Sequence, residues 1–422
     1  MDENIEVPTF FLCPISLEIM KDPITVTSGI TYDRESIEKW LFSGKNNTCP
    51  VTKLPLSVSD SSELVPNHNL RRLIQSWCTI NASHGIQRIP TPKPPVTKTQ
   101  VAKIIKDASQ SSHSPLKSLQ TLKSIASESD ANKRTIEAAG ALDYLASIVL
   151  RHTNFSYTAE DTSLDEDGFE LKTSGSDEAL SILHSLHLSD SGFKTLVTFE
   201  NGSFIDCLTR IMQRGFYESR AYAVLLLKSM FEVADPTVLS HLKPEMFVEL
   251  VQLLKDQISP QASKAALRTL IQICPWGRNR TRAVEAGGVT VLIELLLDCK
   301  ERKPCEMMMV LLEMLCGCAE GRAELLSHGA GIAVVSKKIL RVSTMANDRA
   351  ARILLSIAKF SATTSVLQEM LQVGVVAKLC LVLQVESGKK AQEKAREILR
   401  MHARAWRNSP CIPTNLLSSY PN

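Results

Sequence analysis

The dominant pattern of the chain is a repeat of apolar helical segments from about residue 98 to residue 408. Leucines in equivalent helical settings recur at intervals of 42 to 45 residues, after a first interval of 61: Leu122, Leu183, Leu226, Leu270, Leu312, Leu354 and Leu399. A helix breaker follows each of the first six leucines by 17 to 20 positions: Gly140, Gly202, Pro244, Gly287, Gly329 and Gly374. An apolar segment, such as 289–296, follows each breaker. The pattern therefore predicts repeated units of two helices, a break and a third helix.

A period near 42 residues resembles the armadillo repeat, for which ~40–47 residues is typical. Stacked repeats would bury one continuous core, and we expect the third helices, such as 204–212 and 289–297, to line a curved groove. The excess length of the first interval falls on residues 153–175, which contain six acidic residues and one lysine. It predicts an acidic loop insertion within one repeat. Residues 409–422 are expected to form a C-terminal tail.

The first 80 residues alternate short loops with two helices. The pattern predicts one helix over 34–41, with Asp33 as its N-cap, and a second over 69–78 with one apolar face. Residues 81–97 include Ile-Pro-Thr-Pro-Lys-Pro-Pro at 89–95, which favours neither helix nor strand. They are predicted to form a semi-rigid proline-rich linker.

Residues 7–77 carry landmarks in a fixed order, including Phe-Leu-Cys-Pro-Ile at 11–15, Gly-Ile-Thr-Tyr-Asp-Arg at 29–34, Trp-Leu at 40–41, Cys-Pro-Val-Thr at 49–52 and Val-Pro-Asn at 65–67. They resemble the U-box, the zinc-free relative of the RING domain of ubiquitin ligases. A RING needs eight thiolate or imidazole ligands, usually in close pairs. Residues 1–77 offer only Cys13, Cys49 and His68, so neither a metal nor a cofactor is expected.

The order of segments resembles the plant U-box–armadillo ubiquitin ligases. The expected fold is mostly α: a small α+β U-box at 7–80, the linker at 81–97, and an α-solenoid of armadillo repeats at 98–408. The resemblance implies a ligase whose U-box recruits a conjugating enzyme charged with ubiquitin and whose armadillo groove binds protein substrates. It also implies a role in plant immune or abiotic-stress signalling. Self-association is compatible with this layout.

The resemblance also assigns roles to single residues. A U-box ligase forms no covalent intermediate, so we expect a binding surface for the conjugating enzyme and no catalytic nucleophile. By the family pattern that surface contains Ile15, Leu17, Trp40 and Pro50. Lys53 stands where many relatives carry a cation, often Arg, that contacts both conjugating enzyme and ubiquitin. The alternative for Lys53 is an ordinary surface lysine.

Other readings of these residues stay open. Trp40 and Ile15 could pack in the core. Cys13 is expected to be a buried structural thiol. Without zinc, a polar network would brace the loops: Asp33 and Arg34 are predicted members, while Glu18 and Asp22 fit either this brace or the surface. We expect Asn67 to cap the second helix or to hold the loop before it.

Composition restricts the class of protein. The 422 residues are 44% hydrophobic and 5% aromatic, which suits a helical protein packed with aliphatic side chains. A net charge of +3 gives no sign of nucleic-acid binding. The longest apolar run, 289–297, contains Glu294 and is too short to span a membrane. Eleven cysteines without a pattern, and no signal peptide, favour a reducing compartment. A cytoplasmic location, with nuclear access, is expected.

Two alternatives accompany these expectations. The chain could be an armadillo adaptor or transport receptor whose U-box is inactive. The predicted third helices lack the Trp and Asn ladders of import receptors, and Ile15, Trp40 and Pro50 are all present, so both observations favour the ligase. The segment 378–407 carries eight basic and three acidic residues. It could bind an acidic target or the chain's own acidic loop, or it could be a solvated helix face.

Overall fold

The computed structural model describes residues 6–43, 46–56, 64–89, 96–110, 115–155, 175–406 and 420. It divides into two compact units, Met1–Ala141 and Leu142–Asn422. The proline run of the predicted linker, nearly all of the predicted acidic insertion and nearly all of the predicted tail lie outside the described residues.

The N-terminal unit contains a small antiparallel sheet with strand order β2-β1-β3. Strand β1 (Pro23–Thr25) pairs with β2 (Thr31–Asp33) and β3 (Val65–Pro66), so that Ile24 lies opposite Tyr32 and Pro66. The helices of this part are α1 (Arg34–Glu38), which continues as a π-helical turn over Lys39–Ser43, and α2 (His68–Ile80). Ile24, Tyr32, Ile37 and Ile74 join sheet and helices in one buried core.

Three further helices belong to the same compact unit: α3 (Lys98–Gln110), α4 (Leu116–Glu128) and α5 (Asp130–Ala138). Helix α5 contacts α1 directly, because Arg134 Nη2 lies 3.4 Å from the buried Glu38 carboxylate. Burial raises the pKa of Glu38, while Arg134 and Arg34 act against that rise. The first repeat helices therefore pack with the N-terminal sheet and helices.

The C-terminal unit is built of helices in groups of three, in the order long helix, short helix and third helix. They are α6 (Ala141–Phe155, which begins at the unit boundary), α7 (Gly175–Ser185), α8 (Asp190–Thr198), α9 (Ser203–Arg214), α10 (Tyr217–Val233), α11 (Pro236–Ser240), α12 (Pro244–Asp256), α13 (Pro260–Ile273), α14 (Asn279–Glu285), α15 (Gly288–Asp298), α16 (Arg302–Leu315), α17 (Ala319–Ser327), α18 (Gly331–Lys338), α19 (Thr344–Phe360), α20 (Thr364–Gln372), α21 (Val375–Gln384), α22 (Lys389–Met401) and α23 (Ala403–Trp406).

The breaks within the groups follow from local chemistry. Gly287 and Gly374 adopt φ of 81° and 75° before α15 and α21, a conformation that costs glycine little. A buried polar side chain closes the turn before the short helix of a group. Asn279 Nδ2 donates to the Ile273 carbonyl at 2.9 Å, and Arg322 Nη1 donates to the Cys316 carbonyl at 3.3 Å.

The groups stack in two layers. The long helices α10, α13, α16, α19 and α22 pack on one another more extensively than the third helices α9, α12, α15, α18 and α21 do. In a curved stack the more closely packed layer lies on the inner side, so the long helices form the inner face. The prediction that third helices such as 204–212 and 289–297 line the groove is therefore wrong. Leucine spacing locates the helices, but it does not tell which layer has the smaller radius.

No single helix in the described residues is both long and apolar enough to cross a membrane. The pair α20 and α21 reaches the required length and composition together, but its two helices meet at 63°.

Candidate functional site

Two loops of the N-terminal unit share one backbone geometry. Loop 1 (residues 13–18) and loop 2 (residues 49–54) both begin with Cys-Pro. In each, the cysteine N–H donates to the carbonyl five residues later, and the N–H of the fourth following residue donates to the cysteine carbonyl, at 2.8–2.9 Å. Leu17 and Lys53, at that fourth position, have φ of 58° and 59°. The repeated Cys-Pro-Ile-Ser and Cys-Pro-Val-Thr motifs signal this equivalence, which our sequence analysis missed.

The first thiol lies at the centre of loop 1. Cys13 is fully buried, and its sulfur accepts a hydrogen bond from the Asp33 N–H at 3.3 Å. Burial alone would raise the pKa of the Cys13 thiol, but hydrogen bonds from the backbone of Ser16, Asp33 and Ile15 lower it. The thiol therefore acts as a hydrogen-bond acceptor and connects loop 1 to the end of β2.

Cys49 has the same place in loop 2, and its partners include two side-chain hydroxyls. Its buried sulfur lies 3.2 Å from Ser28 Oγ, 3.1 Å from the Tyr32 hydroxyl and 3.5 Å from the Thr52 N. Burial opposes ionisation, but these hydrogen bonds lower the pKa of the Cys49 thiol to about 6. Burial and the adjacent Cys49 raise the pKa of Tyr32. Cys49 was not among the structural residues that we predicted.

The Asp33 side chain connects the end of β2 to the segment before β1. Its Oδ1 accepts hydrogen bonds from the N–H groups of Lys21 and Asp22, at 2.8 and 2.9 Å. Asp33 is the N-cap residue of α1, as predicted, but its side chain makes no capping bond. The carboxylate accepts the Lys21 and Asp22 amides, and the Arg34 N–H donates to the Asp22 carbonyl instead, at 3.0 Å.

Asp22 is the centre of an ionic brace. Its carboxylate lies 2.6 Å from Arg34 Nε and 3.4 Å from Arg71 Nη1, which joins the segment before β1 to both α1 and α2. Arg71 was missed by the sequence analysis, because it is 49 residues from Asp22. The exposed Glu18 side chain has no partner among the described contacts. Asn67 Oδ1 accepts the Leu70 N–H at 3.0 Å and so caps α2.

Trp40 links the π-helical turn after α1 to the residue directly before loop 2. Its half-buried indole Nε1–H donates to the Thr48 carbonyl at 2.8 Å. The Lys53 ammonium lies 5.7 Å from the centre of the Trp40 ring, within the range of a cation–π contact. The Trp40 ring is therefore partly buried against the core and partly exposed, and Lys53 lies beside it.

The two loops present apolar side chains to solvent. Leu17 is 74% exposed, and Val51 and Leu54 are 53% and 55% exposed. Ile15 and Pro50 are half-buried, and Ile15 packs against the core. Stiff loops that hold apolar side chains in water suit protein binding. Val51 and Leu54 were not predicted, although their positions in loop 2 follow from its likeness to loop 1.

Comparisons with known proteins identify these parts. The U-box domain family matches residues 7–83, and the family described as plant U-box protein ARM repeat region matches residues 100–422. The chain belongs to the plant U-box proteins with armadillo repeats. It is 56% identical to E3 ubiquitin-protein ligase PUB22 of Arabidopsis thaliana, over the full length of both chains. It is also 56% identical to E3 ubiquitin-protein ligase PUB23 of the same plant, over 100% of this chain and 98% of the relative.

This plant U-box protein is an E3 ubiquitin-protein ligase, as full-length similarity to these two ligases shows. Among solved structures, one from work on a phosphorylation switch in the interaction between cadherin and beta-catenin matches with a TM-score of 0.55 and 14% identity, over 79% of this chain and 58% of that one. An engineered protein matches with a TM-score of 0.50 and 20% identity, over 76% and 70%. At these identities they show the fold alone, a mostly helical armadillo solenoid that follows the U-box.

The described part of this U-box protein contains no group of three or more His, Cys, Asp or Glu side chains that could hold a metal ion. The two thiols that most resemble ligands, Cys13 and Cys49, are instead surrounded by hydrogen-bond donors. Hydrogen bonds hold the two loops, and the Asp22 brace holds the segment before β1 to α1 and α2.

Proposed function

We propose that the loop surface of this U-box recruits a conjugating enzyme charged with ubiquitin, and that the armadillo repeats bind the substrate. The observation that carries the first part is the exposure of Leu17, Val51 and Leu54 on two loops of fixed geometry beside Trp40. A few desolvated apolar anchors suffice for a small exchangeable interface. Ile15 and Pro50 complete the proposed contact surface.

In the proposed mechanism the ligase acts by positioning the charged conjugating enzyme and the substrate, and it forms no covalent bond with ubiquitin. The two loop thiols, Cys13 and Cys49, are buried and already accept hydrogen bonds, so neither is placed to attack a ubiquitin thioester. Holding the charged conjugating enzyme beside a bound substrate converts transfer to a substrate lysine into a nearly intramolecular step. The substrate amine is the nucleophile, and ubiquitin moves directly from the conjugating enzyme.

The purified chain should build ubiquitin chains on itself when it is supplied with activating enzyme, conjugating enzyme, ubiquitin and ATP. The reaction should proceed at an unchanged rate after a strong chelator has been added and Mg²⁺ restored for ATP, because hydrogen bonds hold the two loops. Gel analysis of ubiquitin conjugates over time measures both. An inert chain would favour the adaptor alternative, and loss of activity on chelation would contradict the metal-free U-box.

Lys53 is the cation that we propose acts on the thioester. It lies in loop 2, is exposed, and has its ammonium near the Trp40 ring. A lysine is a point charge without the planar fork of arginine, yet it donates up to three hydrogen bonds. In this position it would contact both conjugating enzyme and ubiquitin and favour the reactive conformation of the thioester.

Lys53→Ala should slow discharge of ubiquitin from the conjugating enzyme at least about tenfold, the effect of losing a charged hydrogen bond of roughly 1.5 kcal/mol. Lys53→Arg should retain discharge, since it retains the charge. Single-turnover discharge to free lysine measures the rate, and titration with uncharged conjugating enzyme should give nearly the same Kd for all three proteins. Equal discharge rates would make Lys53 an ordinary surface lysine.

The cellular setting is also a proposal. Membership of this family supports a role in plant immune and abiotic-stress signalling, in the cytoplasm with access to the nucleus. A fluorescent fusion in plant cells should be found in both places, and confinement to another compartment would contradict the location.

A further inference from the structure

A cleft of about 950 Å³ opens between two neighbouring groups of helices in the C-terminal unit. One face of α9 forms one side of it, and α11 with the first turns of α12 forms the other. These are third helices and a short helix, so the cleft lies outside the inner face of long helices. Nothing in the ligase mechanism above uses it.

Glu249 lies in the wall of this cleft and is only 7% exposed. Among the described residues, no hydrogen bond or ion pair reaches its carboxylate. Burial raises the pKa of Glu249, and the charge of Arg220 acts against that rise. However, Arg220 Nη2 already pairs with Asp256 at 2.5 Å. The Glu249 residue as a whole is more than nine-tenths buried, and its carboxylate has no bonded partner among the described residues, so its charge lacks part of the stabilisation that water or a cation would give.

The charged side chains that line the cleft are three carboxylates and two cations, so the net charge of the cleft is negative. Lys243 pairs with Asp206 at 2.6 Å, and Arg210 also has a partner. The His241 ring lies 2.7 Å from the Thr237 carbonyl. Glu245 lies one helical turn before Glu249, lines the same cleft and is exposed, and the described contacts give it no partner. Unpaired groups in this cleft are therefore carboxylates.

We propose that this cleft binds a lysine or arginine side chain of a partner protein, with Glu249 as the buried anion. Burial deprives the Glu249 carboxylate of water, and a bound cation would stabilise its charge in place of water. The cleft would therefore be specific for a basic side chain. The volume exceeds that of one side chain, so the flanking backbone of an extended segment fits as well. The inference rests on the proposed function in one respect, that the repeats select the partner.

The test begins with selection of random octapeptides displayed on phage against the full chain. Selected peptides should share Lys or Arg at one fixed position. Replacing that residue with citrulline, a neutral analogue of arginine, should weaken binding at least about tenfold, as expected for a buried charge pair. Fluorescence anisotropy measures the affinity. Peptides without a common basic position, or an equal affinity of the citrulline form, would overturn the proposal.

Variants inside and outside the cleft test whether the preference for a basic peptide arises there. Glu249→Gln should abolish the preference for the basic peptide, and Glu249→Met provides a second variant if the amide perturbs folding. Glu245→Gln, at the exposed rim, should change affinity less than about threefold because exposed charges are screened. Glu294→Gln, on α15 and outside the cleft, should have no effect. A preference that persists in both Glu249 variants would contradict the assignment.

Ligase activity separates the two proposals. Glu249→Gln should build ubiquitin chains on itself at the normal rate, because the cleft is not part of the U-box. Normal ligation with no selection of basic peptides would reject the cleft alone. Failure of ligation by the unaltered chain would reject the proposed function and would leave the peptide measurements independent of it.

Discussion

Trp40→Ala should weaken binding of the conjugating enzyme at least about thirtyfold, since truncating an interface hot spot costs about 2 kcal/mol or more. The half-buried ring is placed beside loop 2, and its Nε1–H is bonded to the Thr48 carbonyl. Ile15→Ala should have a comparable effect through loop 1. Titration calorimetry with the conjugating enzyme measures the loss, and circular dichroism should show that the armadillo helices remain folded.

The hydrogen bond to Thr48 makes Trp40→Ala ambiguous on its own, because loop 2 could move when the ring is removed. Leu17→Ala resolves this. Leu17 is 74% exposed, so its truncation removes contact area without opening the core. Ile80→Ala is the matched control, since Ile80 is 76% exposed at the end of α2 but lies outside both loops. Normal binding by Trp40→Ala and Leu17→Ala, or an equal loss in Ile80→Ala, would show that the surface is misplaced.

Much of the fold follows from the sequence because periodicity reports which side of a helix is apolar. The predicted helices over 34–41 and 69–78 appear as α1 with its π-helical turn and as α2. Each predicted break that is a left-handed glycine directly precedes a helix, and Pro244 is the first residue of α12. These are local properties, set by side-chain type and backbone freedom within a few residues.

The pairings between distant segments could not be predicted. Asp22 meets Arg71, and Glu38 meets Arg134, across long stretches of chain that periodicity does not relate. A charged side chain in a sequence looks the same whether it is solvated or bonded. Asp33 shows the same limit locally, since an aspartate before a helix predicts a cap, while the fold brings two other amides to its carboxylate first.

The repeated Cys-Pro motif differs from these long-range pairings, because it can be recognised in the sequence. Two loops that begin with the same residues adopt the same bonds, so a structural role for the first thiol implies one for the second. The structure places the Ser28 hydroxyl and the buried Tyr32 hydroxyl within hydrogen-bond distance of the Cys49 sulfur. The stability of the binding surface should therefore depend on Cys49.

Cys49→Ala should lower the free energy of unfolding of the U-box by about 3 kcal/mol, because it removes an acceptor from the buried Tyr32 hydroxyl, from Ser28 and from Thr52, and leaves Tyr32 only the Val51 N–H that donates to its oxygen. Loop 2 would loosen, and binding of the conjugating enzyme would fall with it. Cys78→Ala is the matched control: Cys78 is a buried thiol on α2 with no hydrogen bond among the described contacts, and its loss should cost about 1 kcal/mol. Equal losses in both variants, measured by urea unfolding followed through the U-box tryptophans, would show that only packing matters.

Ionisation provides a second, independent readout of the same network. The pKa of Cys49 falls from 9.0 to about 6 in the folded protein, so the folded state loses its proton first. The stabilisation from the thiolate is therefore complete above pH 9, and it is lost as the pH falls toward 6. The pKa of Tyr32 is raised, so the phenol stays protonated over this range and does not cancel the effect. The free energy of unfolding of the U-box should increase between pH 6 and pH 8.5 in the intact chain and in Cys78→Ala, and it should increase less in Cys49→Ala. Parallel pH curves for all three proteins would show that Cys49 remains a neutral thiol and acts through hydrogen bonds alone.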